Sequence, residues 1–159
     1  MPGLDDALNL AYKMLARRAL SEKAVRERLA KKKVPAATLE RVIRELKEVK
    51  LLSDAALAEN MAQSRVKHRL LGDFRIEADL VRCGIPKDAA RRAVREAAKE
   101  PDSPTEEDRA LRLAQKRAAQ IRGKDPESLK RRLFGYLARR GFDPDTIQAA
   151  LERYGRETP

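Results

Sequence analysis

Side chains able to carry covalent or metal chemistry are few in this sequence, which holds one cysteine, Cys83, and one histidine, His68. A thiolate nucleophile needs a base beside it, and a structural zinc needs about four ligands of the Cys/His kind. Neither set can be assembled, so Cys83 is expected to be an inert or partly buried thiol. The acidic run Glu106-Glu107-Asp108 has the residue types of a metal site, but three carboxylates in the first turn of a helix have a simpler use opposite the positive end of its dipole. Gly123-Lys124-Asp125 lacks the earlier glycine and the following Ser or Thr of a phosphate loop, and reads as a turn before Pro126. No serine sits in a nucleophile elbow. The chain is therefore expected to have no catalytic residue, no cofactor and no metal, and to act by binding.

Charge says what kind of surface it would bind. Lys and Arg number 36 against 25 Asp and Glu, a formal net charge of +11 over 159 residues, which attracts a polyanion or an acidic protein surface. The excess is clustered. Arg26, Arg28, Lys31, Lys32 and Lys33 crowd one stretch, Arg65, Lys67 and Arg69 flank His68 in a second, and Lys130, Arg131, Arg132, Arg139 and Arg140 form a third with no acid between Ser128 and Phe142. Such runs usually mark a solvated helix face. An excess of eleven over the whole chain favours contact with phosphates or carboxylates instead. Few Asn or Gln residues stand where bases could be read, and aromatic content is 4% with no Trp, so backbone contact without sequence readout fits better than base stacking.

The elements that position these clusters follow from apolar spacing. Leu39, Val42, Ile43, Leu46 and Val49 fall on one side of a helix from Ala36 to Val49, with Glu40, Arg41, Arg44, Glu45 and Lys47 on the other. Ser21 can cap an earlier helix bearing Val25 and Leu29, and Leu8, Ala11, Tyr12 and Leu15 mark a first one. The layout then recurs. Val25, Leu29, Val34, Leu39 and Val42-Ile43 line up with Ile76, Leu80, Ile85, Ala90 and Ala93-Val94, and again with Leu133, Leu137, Phe142, Ile147 and Ala150-Leu151. Just before the inter-helix apolar residue stand Lys33, Gly84 and Gly141, where a helix end favours a left-handed residue. The expected architecture is all-α: three tandem three-helix, helix-turn-helix-like repeats at 1–52, 53–99 and 105–155, stacked as an elongated, curved array. Ser53 and Asp54 can cap the helix that opens the second repeat. Pro101 and Pro104 break the chain before the third, so the first junction is expected to be tight and the second looser, with 99–107 either a hinge or a fixed turn.

A lone cysteine excludes an internal disulfide and suits a reducing compartment. No apolar run nears the roughly 18 residues of a membrane span, and the first residues lack the pattern of a signal peptide. A cytosolic monomer without membrane contact is the expectation.

These features together resemble the RecX family of bacterial regulators of the RecA recombinase. Ala11-Tyr12-Lys13-Met14-Leu15-Ala16-Arg17-Arg18, then Ser21-Glu22-Lys23-Ala24-Val25 and Arg28-Leu29, are similar to the family's opening segment. Leu51-Leu52-Ser53-Asp54-Ala55-Ala56-Leu57-Ala58, followed by Ser64-Arg65 and Gly72, resembles its middle junction. Leu133-Phe134-Gly135-Tyr136-Leu137-Ala138-Arg139-Arg140-Gly141-Phe142 resembles its closing signature. Two departures stand out: Asp54-Ala55-Ala56-Leu57 lacks an expected aromatic residue, and Lys33 stands where glycine is common. The resemblance implies a curved stack of three-helix repeats that binds RecA filaments on single-stranded DNA and restrains their growth, ATPase, strand exchange and coprotease activity. The competing expectation is a sequence-nonspecific protein that binds DNA or RNA directly.

Overall fold

A computed structural model describes residues 1–123 and 125–158; the expected turn at Gly123-Lys124-Asp125 thus has its middle residue outside the described ones. The described residues form nine helices and no strand: α1 (Leu4–Arg17), α2 (Glu22–Lys31), α3 (Ala36–Glu48), α4 (Asp54–His68), α5 (Asp73–Arg82), α6 (Lys87–Ala98), α7 (Glu106–Ala118), α8 (Pro126–Arg139) and α9 (Pro144–Glu157). Five of them start where a side-chain oxygen accepts a first-turn amide, from Ser21, Ser53, Thr105, Asp125 and Asp143. Each such cap is worth about 1 kcal/mol.

Each group of three helices closes on its own apolar cluster. The threefold register places the core almost throughout: of the eighteen aligned apolar residues only Ala93 is merely half-buried. Two sequence expectations fail at the margins. Tyr12 is 40% exposed, because the buried stripe of α1 runs through Ala7 and Ala11 and turns the tyrosine outward. Val49 is 56% exposed, because α3 ends at Glu48 and Val49 caps it with its side chain beyond the packed face.

The three inter-helix corners share a left-handed residue, with φ of 59° at Lys33, 101° at Gly84 and 88° at Gly141. Lys33 accepts the conformation at a cost of about 1 kcal/mol. The two glycines are needed for a further reason, because each corner packs on the module before it. A Cβ on Gly84 would lie 2.4 Å from Ser21 Oγ, and one on Gly141 would lie 2.4 Å from Arg75 Cβ and 2.5 Å from its backbone nitrogen.

The modules dock by a repeated operation. Ser21, the N-cap of α2, donates its hydroxyl to the Cys83 carbonyl at 2.5 Å, while Asp54 at the start of α4 accepts from Glu22 N at 2.8 Å. One module later, Gly72, the N-cap of α5, donates to the Arg140 carbonyl at 2.9 Å, while Glu106 at the start of α7 accepts from Asp73 N at 3.0 Å. In the third module the position of Ser21 and Gly72 falls on Leu129, inside a helix. There α8 has 14 residues against 10 in α2 and α5, and starts a full turn earlier.

The second junction is the more elaborate one, contrary to the looseness expected from its prolines. Arg109, fully buried, donates to the Leu71 carbonyl and the Pro104 carbonyl, each at 3.0 Å, and to the Asp73 carboxylate. Ser103 donates to the Ala97 carbonyl at 2.8 Å, and Thr105 and Asp108 form a capping box. Within residues 99–107, Ser103, Pro104 and Thr105 are each hydrogen-bonded to an adjoining helix.

All helix pairs in extensive contact belong to the same module. The chain exposes 10,210 Å², about a quarter more than the roughly 8,000 Å² of a compact monomer of this mass, as a serial array should.

Candidate polyanion-binding surface

The basic clusters resolve into three kinds of site. Some of their members are held within the fold. Arg26 of α2 is hydrogen-bonded to Glu40 of α3 and to Glu22, which keep its guanidinium charged. Arg65 of α4 reaches Asp79 of α5 at 3.0 Å, a nearly buried carboxylate that also takes Arg75 and Arg82, each at 3.2 Å. In both modules the partner lies fourteen residues away on the next helix, beyond the reach of an i,i+4 search.

A second set sits at helix ends. Lys31, Lys32 and Lys33 close α2, Lys67 and Arg69 close α4, and all five are exposed with no acidic partner within 4 Å among the described residues. Cations here complement the negative end of a helix dipole, worth up to about 1 kcal/mol, so position alone does not require a ligand. Arg28 and Lys31 line a groove of about 490 Å³ between the first two modules, joined there by Arg18 and Arg82 over Leu57 and Met61. Cys83 also borders this groove. It is exposed rather than buried, and its carbonyl, not its sulfur, accepts the hydrogen bond from Ser21.

The third set is on the last module. Arg131, Arg132 and Arg139 of α8 line a groove of about 320 Å³ together with Arg117 of α7, Tyr136 and Ile121. The Arg117 and Arg140 guanidiniums lie 5.0 and 5.2 Å from the centre of the Tyr136 ring, and Arg140 also donates to its hydroxyl at 3.0 Å. Lys130 points away, into a separate groove with Glu127 and Glu152. Arg131 and Arg132 stand in the middle of α8, where the dipole offers no reason for a cation.

Sequence reasoning missed Arg82, Arg117, Arg18 and Tyr136. The repeat register held the signal for one of them, since Lys31, Arg82 and Arg139 occupy one equivalent position and so recur once per module. Arg117 and Tyr136 meet only through the packing of α7 on α8. The acidic run likewise divides its labour: Glu106 faces the preceding module, Asp108 completes the capping box, and Glu107 and Asp108 both pair with Arg153 of α9, at 2.8 and 3.0 Å. No group of three or more His, Cys, Asp or Glu suited to a metal occurs among the described residues. None of the described helices is long and apolar enough to cross a membrane.

Comparison with known proteins gives this architecture a family. Residues 105–151 match the family model for the third three-helix domain of RecX, and residues 7–46 match that for its first three-helix domain. The chain is 32% identical over 157 residues to the regulatory protein RecX of Clostridioides difficile, covering 96% of this chain and 72% of that one. It is 32% identical over 146 residues to RecX of Prosthecochloris aestuarii, covering 92% and 91%. The crystal structure of RecX from Lactobacillus salivarius superposes with a TM-score of 0.87 at 18% identity, over 96% of this chain and 97% of that one, and so shares the fold. With a core register repeated three times, corners that dock each module on the last, and relatives alike over nearly its whole length, the chain belongs to the RecX family, whose members are regulatory proteins rather than enzymes.

Proposed function

We propose that this chain binds RecA filaments assembled on single-stranded DNA and restrains their growth, ATPase, strand exchange and coprotease activity, working as a monomer in the cytosol. The observation that carries the reading is near-full-length relationship to RecX proteins by a chain of serial, cation-bearing modules. A serial array meets a polymer by repetition: modest contacts from each module add through high effective concentration. Lys31, Lys32, Lys33, Lys67 and Arg69 are the side chains free to take acidic protein groups or phosphates, and Arg28 joins them from its groove. Arg131, Arg132, Arg139 and Arg140 form the second contact region. Arg26 and Arg65 support the array through their ion pairs, and Lys130 stands apart.

The test is RecA ATPase on single-stranded DNA with and without the protein. Inhibition at micromolar concentration and low salt is expected, weakened in a Lys31→Gln, Lys32→Gln double variant. An unchanged ATPase would refute the reading. Direct action on nucleic acid is the rival, and would appear as equal binding to bare DNA with or without recombinase, surviving at physiological salt.

A further inference from the structure

Seven arginines elsewhere in the molecule have carboxylate partners: Arg26, Arg65, Arg75, Arg82, Arg91, Arg109 and Arg153 all pair with Asp or Glu. The groove of the last module instead gathers unpaired arginines around one aromatic ring. Its four arginines, and Arg140 beside it, have no ion pair among the described residues, and the groove has no acid in its lining. Their recorded hydrogen bonds go to neutral groups, from Arg117 to Gln120 at 3.1 Å, from Arg131 to Ser128 at 3.4 Å and from Arg140 to the Tyr136 hydroxyl. Gly135 leaves the floor open, with Arg139 Nη1 close enough to touch a Cβ there at 3.4 Å.

We propose that this groove binds a nucleotide unit, its phosphate between Arg131, Arg132 and Arg139 and its base against the guanidinium faces gathered on Tyr136. The chemistry distinguishes the groove from the lysine-rich end of α2. Guanidinium is a planar fork that meets phosphate oxygens two at a time, and its flat face stacks on aromatic rings, whereas ammonium is a point charge that accepts any anion. All of the groove's cations are arginine, and an aromatic ring anchors two of the neighbouring ones. Arginine planes and aromatic rings are the surfaces on which unstacked bases settle. The assignment deepens the function proposed above by giving the nucleic-acid strand to the third module and leaving the first module's lysines to acidic protein groups.

One chemistry has two sources here, a nucleotide within a single strand or a free one, and the experiment separates them. Binding of a short fluorescein-labelled oligothymidylate is followed by anisotropy across a salt series without recombinase, with ADP, inorganic pyrophosphate and polyglutamate as competitors. An Arg131→Gln, Arg132→Gln double variant is expected to weaken oligothymidylate binding about tenfold and to reduce the log-log salt slope by about 1.4, for two lost contacts on a single strand. An Arg41→Gln, Arg44→Gln variant, which removes the same charge from the exposed face of α3, should bind like the unaltered protein. Competition by ADP at concentrations where pyrophosphate fails would extend the site to free nucleotides; no competition by ADP assigns it to the strand. Absence of oligothymidylate and ADP binding, equal binding by the two double variants, or displacement by polyglutamate as effective as by ADP would overturn the proposal. The RecA ATPase assay keeps the two ideas apart: inhibition without oligothymidylate binding removes this site alone, and binding without inhibition removes the filament reading alone.

Discussion

The junction between the first and second modules turns on one hydroxyl, that of Ser21, which accepts from Ala24 N and donates across to the Cys83 carbonyl. Between the second and third modules there is no side chain at the same place: Gly72 and Gly141 meet backbone to backbone, so closely that a Cβ on Gly72 would lie 2.1 Å from the Gly141 carbonyl carbon. Closer approach encloses the Leu71 carbonyl, and the buried Arg109 guanidinium satisfies it together with the half-buried Pro104 carbonyl. One docking operation therefore tolerates two chemistries, a polar bridge over a gap or direct contact with a buried cation. The second demands more of its residues.

Substitutions test that contrast unequally. Arg109→Leu should have the largest effect, about 3 kcal/mol or more of stability by urea unfolding, because it strands the buried Leu71 carbonyl and removes the partner of the Pro104 carbonyl and the Asp73 carboxylate. Gly141→Ala follows, at about 2 kcal/mol or more, since the added methyl meets Arg75 backbone and φ is 88°. Ser21→Ala should cost about 1 to 2 kcal/mol, losing a cap and the bridge to Cys83 together. A Ser21→Ala loss as large as that of Arg109→Leu would show that the two junctions are equally demanding. Lys33→Gly, at the corner that packs on no preceding module, should instead stabilise by about 1 kcal/mol, read as a rise in thermal midpoint.

Acidity should act on the junctions in opposite directions. Burial, reinforced by the Asp73 and Asp143 carboxylates, holds the Glu106 pKa above the usual glutamate range against the hydrogen bond from Asp73 N. The folded chain then binds this proton more readily than the unfolded one. Its contribution to stability is greatest below the ordinary glutamate value and declines as pH rises through the raised folded value. Glu22 at the first junction behaves conversely, because Lys47 and Arg26 hold it low: its stabilisation is present above the ordinary value and lost as pH falls through the folded one. On mild acidification from neutrality, the thermal midpoint of the unaltered protein should rise relative to that of Glu106→Gln. A constant difference between the two across that window would disprove the assignment.

Much of this fold was readable from the chain because a core register repeated three times leaves little freedom. Val25, Ile76 and Leu133 had to face inward together, and the corners at Lys33, Gly84 and Gly141 had to turn alike. Charge was harder to read. Arg109 follows three acids at a helix start and looks solvated in sequence; only docking of the preceding module encloses it. Pro101 and Pro104 announced a break, yet proline fixes φ without saying whether neighbours grip the segment, and Ser103 and Arg109 do. The candidate surface was half legible: clustering found the arginines of α8, while their meeting with Arg117 around Tyr136 depends on a helix crossing that local spacing does not encode.

The extra turn at the start of α8 has a consequence for copies of the whole molecule. A repeat whose docking surfaces match at both extremities can add to itself head to tail and grow into an open-ended fibre. Here the tail extremity is occluded by that additional helical turn over Leu129, and the head extremity carries the Lys33 side chain where docking corners tolerate only glycine. The operation that joins neighbouring modules within the chain therefore lacks its matching surface on both outer modules.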